Sequence, residues 1–246
     1  MTATATEPTF LLIHGGCTTG AFWDRVVERL DAPAVAVDLP GRRDNPADLV
    51  TLTLDDSATS AVADLQAAAP DGPVVVVAHS SGGLVVPRVV DQLGDRVQAV
   101  VLTSASIPPD GGIGMQCMKD SHRERLEAGL EWARSEGRRL TAPKVEDPES
   151  LRESYGERLD DETVAYLADP SRSVEDSFNV YLQPVHWSTV RVPVTYLRAG
   201  LDKPVPPELQ DRMIGHLPGR PTVVAWECGH VPAVTRPDDF VELLRG

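Results

Sequence analysis

Cysteine, aromatic residues and positive charge are all scarce in this chain, and each shortage rules something out. Three cysteines, Cys17, Cys117 and Cys228, are spread over 246 residues with no C-x-x-C spacing, so the thiols read as reduced and no disulfide framework is expected. The histidines, His14, His79, His122, His186, His216 and His230, include no i,i+4 pair with an acidic neighbour, and no metal site is implied. Lys and Arg number 23 against 37 Asp and Glu, a formal net charge of −14, which argues against nucleic acid and an anionic membrane surface as partners. No apolar run is long enough to span a bilayer, and Met1 to Glu7 shows neither a basic nor an apolar leader region, so the expected location is cytoplasmic. Aromatic residues are only 5% of the chain, so the few present are worth placing.

What is present suits one large core. Hydrophobic residues make up 41% of the sequence, and undivided α/β domains commonly reach this length. Strand-like runs near 9–13, 34–38, 74–79, 97–103, 192–199 and 222–226 alternate with helical stretches near 21–30, 54–69, 82–94, 207–215 and 236–245. Such βα alternation requires a parallel sheet with helices on both faces. The 54–69 stretch shows the helical period, with Leu54, Ala58, Ala61, Leu65 and Ala68 on one face.

The chemistry-bearing residues stand where these strands end. Val74 to Val77 run through Ala78-His79 into Ser80-Ser81-Gly82-Gly83, a buried strand breaking sharply into a helix with Ser80 at the turn, near the G-x-S-x-G pattern with Ala78 in place of its first glycine. Thr9 to Ile13 empty into His14-Gly15-Gly16-Cys17, a glycine loop whose backbone N–H groups could stabilise an oxyanion. Gly16 and Ser81 are the candidate donors. Asp202 follows the 192–199 strand directly, and His230 lies in the loop after the last strand. An imidazole must sit between serine and carboxylate, so Ser80, His230 and Asp202 are the candidate triad. As ordinary structural residues, Asp202 would be a helix N-cap or turn residue and His230 a solvated loop histidine.

The order of these segments resembles the α/β-hydrolase superfamily over nearly the whole chain. Within it, His14-Gly15-Gly16-Cys17 with Gly20-Ala21-Phe22-Trp23, the Asp202 to Ile214 stretch, and Gly229-His230-Val231-Pro232 ahead of Arg236-Pro237 resemble the branch of methylesterases, hydroxynitrile lyases and bacterial esterase relatives. The resemblance implies an α/β-hydrolase fold with a mostly parallel sheet of about six strands, the N-terminal strand pair of larger members being absent. It implies Ser80 as nucleophile, His230 as base, Asp202 as acid, and Gly16 and Ser81 as the oxyanion hole. Lyases of this kind carry a lysine after the triad histidine and a threonine in the first glycine loop; here those positions are Val231 and Gly15, which favours ester hydrolysis. The Asp38-Leu39-Pro40-Gly41-Arg42 loop resembles one common in the superfamily and reads as structural.

Residues 107–189 carry no strong buried strand and read as a helical cap inserted between core segments 1–106 and 190–246, with helices near 119–137, 148–156, 160–168 and 173–181. Trp132, Phe178, Tyr181 and Trp187 from the cap, with Phe22 near the glycine loop, are candidate substrate-binding residues, each equally able to serve as packing. Cys17 and Cys228 are expected in loops near the site, where either could touch substrate, and read first as small apolar fillers. The leading expectation is a cofactor-independent serine hydrolase, monomeric or homodimeric, acting on a small to medium uncharged ester, thioester or lactone through an acyl-enzyme. The alternative is non-hydrolytic use of the same fold by a biosynthetic cyclase, a lyase or a ligand-binding sensor.

Overall fold

Six strands, β1 (Thr9–Ile13), β2 (Ala34–Ala36), β3 (Val74–His79), β4 (Val97–Thr103), β5 (Val194–Ala199) and β6 (Thr222–Trp226), pair in parallel in the order β6-β5-β4-β3-β1-β2. The computed structural model describes residues 7–137, 141–142 and 147–246. The first six residues, read above for the absence of a leader, lie outside them.

A parallel sheet is covered on both faces, so its strands read as unbroken apolar runs. Side chains alternate between two cores. Leu11, Ile13, Val74, Val76 and Ala78 join one with the helices Leu54–Ala68, Val86–Leu93 and Pro207–Ile214. Phe10, Leu12, Val75 and Val77 join the other with Phe22, Trp23 and the helix Pro237–Arg245. The chain runs from β1 outward to β2, then crosses back to place β3 on the other side of β1. The strand order therefore reverses between β1 and β3, and the crevice beyond their carboxyl ends is where open α/β sheets bind ligands.

The elements depart from the sequence reading in instructive places. The Leu54–Ala68 helix starts as expected because Thr53 and Asp56 form a reciprocal capping box. The stretch expected as a helix over 21–30 is a 3₁₀ turn, Gly20–Trp23, and one α-turn, Asp24–Val27; Pro33 closes off any continuation. The 173–181 helix does not form. Residues Asp176–Ser177 are a two-residue strand and Asn179–Leu182 a 3₁₀ turn, because side chains capture the backbone first. Asp176 Oδ1 accepts the Ser177 N–H at 2.7 Å, Ser177 Oγ accepts the Asn179 N–H at 3.1 Å, and the Val174 N–H goes to the Cys17 carbonyl at 3.0 Å.

Between β4 and β5, residues 107–189 add nothing to the main sheet. Their described part holds the helices Asp120–Ser135, Pro148–Ser154 and Asp161–Ala168 and two short antiparallel pairs. One pair, Gly112–Ile113 with Pro184–Val185, ties the beginning of the segment to its end, and Asp110 Oδ1 accepts the Ser188 N–H beside it at 2.9 Å. No helix among the described residues is long and apolar enough to cross a membrane.

Candidate active site

β3 ends at His79 and the chain turns at Ser80, whose φ of +52° lies in the left-handed region that residues with a Cβ seldom adopt. The turn survives because its surroundings leave no alternative. The Ser106 N–H donates to the Ser80 carbonyl at 2.9 Å. A Cβ on Gly82 would stand 2.6 Å from the His14 carbonyl oxygen, and one on Gly83 2.8 Å from that of Ser106. Ala78 is still within the strand, flanked by Ile13 and Leu102 and fully buried, so its methyl group packs where a glycine would leave a gap.

Three strand ends then converge. His230 Nδ1 donates to Asp202 Oδ2 at 2.7 Å, and His230 Nε2 faces Ser80 Oγ at 3.2 Å. With Nδ1–H committed to the carboxylate, the neutral ring leaves Nε2 as an acceptor for the serine hydroxyl. Asp202, its side chain fully buried, also accepts the Val205 N–H through Oδ1 at 2.8 Å. Gln210, completely buried, stitches the end of β5 to this turn with bonds to Ala199 and to the Val205 carbonyl. On the other side, the His230 N–H donates to the Tyr155 carbonyl at 2.7 Å and the Tyr155 ring stacks on the imidazole.

The glycine loop after β1 presses directly on Ser80 and Ser81. A Cβ on Gly15 would meet Ser80 Cβ at 2.9 Å, and one on Gly16 would lie 2.7 Å from Tyr181 Oη and 3.2 Å from Ser81 Oγ. Gly16 and Ser81 are thus side by side. His14 fixes the loop from beneath, Nδ1–H donating to the Gly15 carbonyl and Nε2 accepting the Leu39 N–H. Burial, with Arg42 nearby, lowers His14 from 6.5 to about 3 and keeps it neutral.

The aromatic candidates fall in different places. Tyr181 reaches the site, its hydroxyl 2.7 Å from where a Gly16 Cβ would be, and burial together with Asp176 pushes its phenol well above the ordinary range. Phe178 packs beside Tyr181 at 6.3 Å between ring centroids. Phe22 is buried beneath His79, Trp187 is buried in the core, and Trp132 is 52% exposed on its helix. Burial pushes the Cys17 and Cys228 thiols up to about 12, so both stay protonated. Among the described residues no three His, Cys, Asp or Glu side chains converge as metal ligands. Sequence reasoning missed the roles of Tyr155, Gln210 and a buried pair, Arg42 and Asp176; Arg42 and Gln210 lay in stretches singled out for the family resemblance, without a role of their own.

Known proteins resemble the chain in sequence and in fold. The chain is 28% identical to lipase LipV of Mycobacterium tuberculosis, over 96% of this chain and 91% of that one. It is 25% identical to methylesterase 7 of Arabidopsis thaliana, over 96% and 94%. An extracellular α/β-hydrolase from a Paenibacillus species superposes with a TM-score of 0.76 at 19% identity, covering 96% of this chain and 97% of that one. A match to one family spans residues 10–243, in keeping with the order of the sheet, and the chain belongs to the alpha/beta hydrolase family.

Proposed function

We propose that the chain is a serine-dependent carboxylic ester hydrolase. Ser80 Oγ adds to the ester carbonyl while His230 Nε2 takes its proton, and Asp202 holds Nδ1–H and stabilises the imidazolium. The N–H groups of Gly16 and Ser81 receive the oxyanion. The alcohol leaves with the proton from His230, and water, deprotonated by the same nitrogen, releases the acid from Ser80. Residues 107–189 act as a cap that shields these steps from bulk water.

The observation that carries the reading is Ser80, held at φ +52° with its hydroxyl 3.2 Å from an imidazole whose other nitrogen is 2.7 Å from a buried carboxylate. The activities named for the lipase and methylesterase relatives support an ester as substrate. A small to medium uncharged ester, thioester or lactone fits, because Arg42, the cation near the loop, is already neutralised by Asp176. Lyase chemistry is disfavoured: Val231, after His230, is apolar and 2% exposed, and Gly15 has no room for a hydroxylated side chain.

Fluorophosphonate labelling read by intact mass and adduct mapping tests the proposal. One adduct on Ser80 is expected, and Ser80→Ala should lose both the adduct and hydrolysis of p-nitrophenyl acetate while melting like the parent. Turnover that survives Ser80→Ala would overturn it.

A further inference from the structure

A buried ion pair grips the glycine loop from two directions. Arg42 Nη2 donates to Asp176 Oδ1 at 2.5 Å, and the side chains are 3% and 4% exposed. Each partner also holds the loop itself. Asp176 Oδ2 accepts the Cys17 N–H at 2.9 Å, and Arg42 Nε donates to the Thr18 carbonyl at 3.3 Å. The Cys17 carbonyl is taken by the Val174 N–H at 3.0 Å. Cys17 has a φ of +56°, a strained conformation that persists only where surrounding bonds over-determine it. Arg42 is anchored independently, through Nη1 to the Pro40 carbonyl at 2.8 Å.

Burying such a pair gives little net stability, and neither side chain is used in the chemistry proposed above. We infer that Arg42 and Asp176 are positioning residues that set the Gly16 N–H for the oxyanion, Asp176 by fixing the Cys17 peptide and Arg42 by fixing Thr18 and cancelling the carboxylate charge. The inference rests on the role given to Gly16 under the proposed function. The charge matters because Asp176 Oδ2 lies 3.2 Å from where a Gly16 Cβ would be, and an uncompensated anion there would oppose an oxyanion forming beside it. Asp176 comes from residues 107–189, so the loop takes its geometry only when that segment is seated.

The substitutions separate the two effects. In Asp176→Asn the single amide oxygen has two donors at the Oδ1 position, Arg42 and the Ser177 N–H, which turns the amide nitrogen toward the Cys17 N–H, donor against donor. Arg42→Met leaves the carboxylate charged and unpaired, whereas Arg42→Lys keeps a compensating charge.

The experiment measures kcat and KM for p-nitrophenyl acetate per fluorophosphonate-titrated serine in the parent, Asp176→Asn, Arg42→Lys, Arg42→Met and the Arg42→Met/Asp176→Asn double variant. Asp176→Asn and Arg42→Met should each lower kcat about 100-fold with KM changed less than about threefold. Arg42→Lys should recover about tenfold over Arg42→Met, and the double variant should be faster than Arg42→Met because the stray charge is gone. If Arg42→Met does not fold, Asp176→Asn and Arg42→Lys carry the comparison. A kcat per titrated serine within about threefold of the parent in Asp176→Asn overturns the inference, since a merely structural pair would lower only the active fraction and the melting temperature. That result with Ser80→Ala inactive fails the loop role alone; activity in Ser80→Ala fails the proposed function instead.

Discussion

The imidazole of His79 lies against that of His230, ring centroids 4.7 Å apart, and His79 Nε2–H donates to the His230 carbonyl at 2.9 Å. Burial, reinforced by the proximity of His230, holds His79 well below the ordinary imidazole range. The ring is therefore neutral with its proton on Nε2, and Nδ1 finds no hydrogen-bond partner among the described residues. Phe22 stacks beneath it at 4.6 Å. A neutral ring here supports His230 without placing a second positive charge beside the imidazolium of the proposed mechanism.

His79→Phe keeps a ring between Phe22 and His230 but strands the buried His230 carbonyl. The expected cost is about 1–3 kcal/mol of stability, with kcat lowered about tenfold as the His230 loop shifts. Urea unfolding and steady-state kinetics read the two effects. An unchanged unfolding midpoint and rate would mean that the bond supports nothing.

Acid should weaken the fold before most carboxylates titrate. His14 falls from 6.5 unfolded to about 3 folded, and His79 is displaced in the same direction. Between these values the unfolded chain binds protons that the folded chain refuses, so stability is fully present above about pH 6.5 and is lost as pH drops through that window. Each such histidine contributes a slope of up to about 1.4 kcal/mol per pH unit. Unfolding free energies between about pH 7 and pH 5 should fall steeply in the parent and less steeply in His14→Gln. Equal slopes in the two proteins would contradict neutral burial of His14.

Tyr181 and Trp132 were indistinguishable as pocket candidates, and the structure separates them. Tyr181→Phe removes the hydroxyl packed against Gly16 and should lower kcat/KM about fivefold to tenfold. Trp132 is 52% exposed, and Trp132→Ala should leave kcat/KM within about twofold of the parent. Kinetics in which Trp132→Ala is the slower variant would put the substrate against Trp132 instead of Tyr181.

The candidate site was legible because each part is written in consecutive residues. A strand, a small-residue turn and Ser80 are adjacent in sequence, as are β5 and Asp202 and β6 and His230. The supports are written across the chain instead. Asp176 meets Cys17 at a separation of 159 residues and Arg42 at 134, and no local pattern announces either contact. The same long-range bonds explain the absent 173–181 helix, since the Val174 N–H and the Asp176 carboxylate are both taken by the glycine loop. Helical spacing could not show that competition.

The turn at Tyr155-Gly156-Glu157 offers the sharpest test of how far residues 107–189 reach into the geometry of the candidate site. Gly156 has a φ of +108°, and a Cβ there would lie 1.8 Å from the Leu201 carbonyl oxygen, next to Asp202. The preceding carbonyl, Tyr155, holds the His230 N–H at 2.7 Å, and Glu157 accepts the Thr235 hydroxyl at 2.9 Å. One turn thus touches the loops carrying both Asp202 and His230. Gly156→Ala must move the backbone off Leu201, at a strain cost of about 1–3 kcal/mol or more, and should lower kcat about 100-fold through the displaced imidazole. Tyr155→Phe keeps the carbonyl and the ring over His230 and should stay within about threefold of the parent. If Gly156→Ala melts lower yet turns over at the parental rate per labelled Ser80, the turn holds the fold without setting the triad.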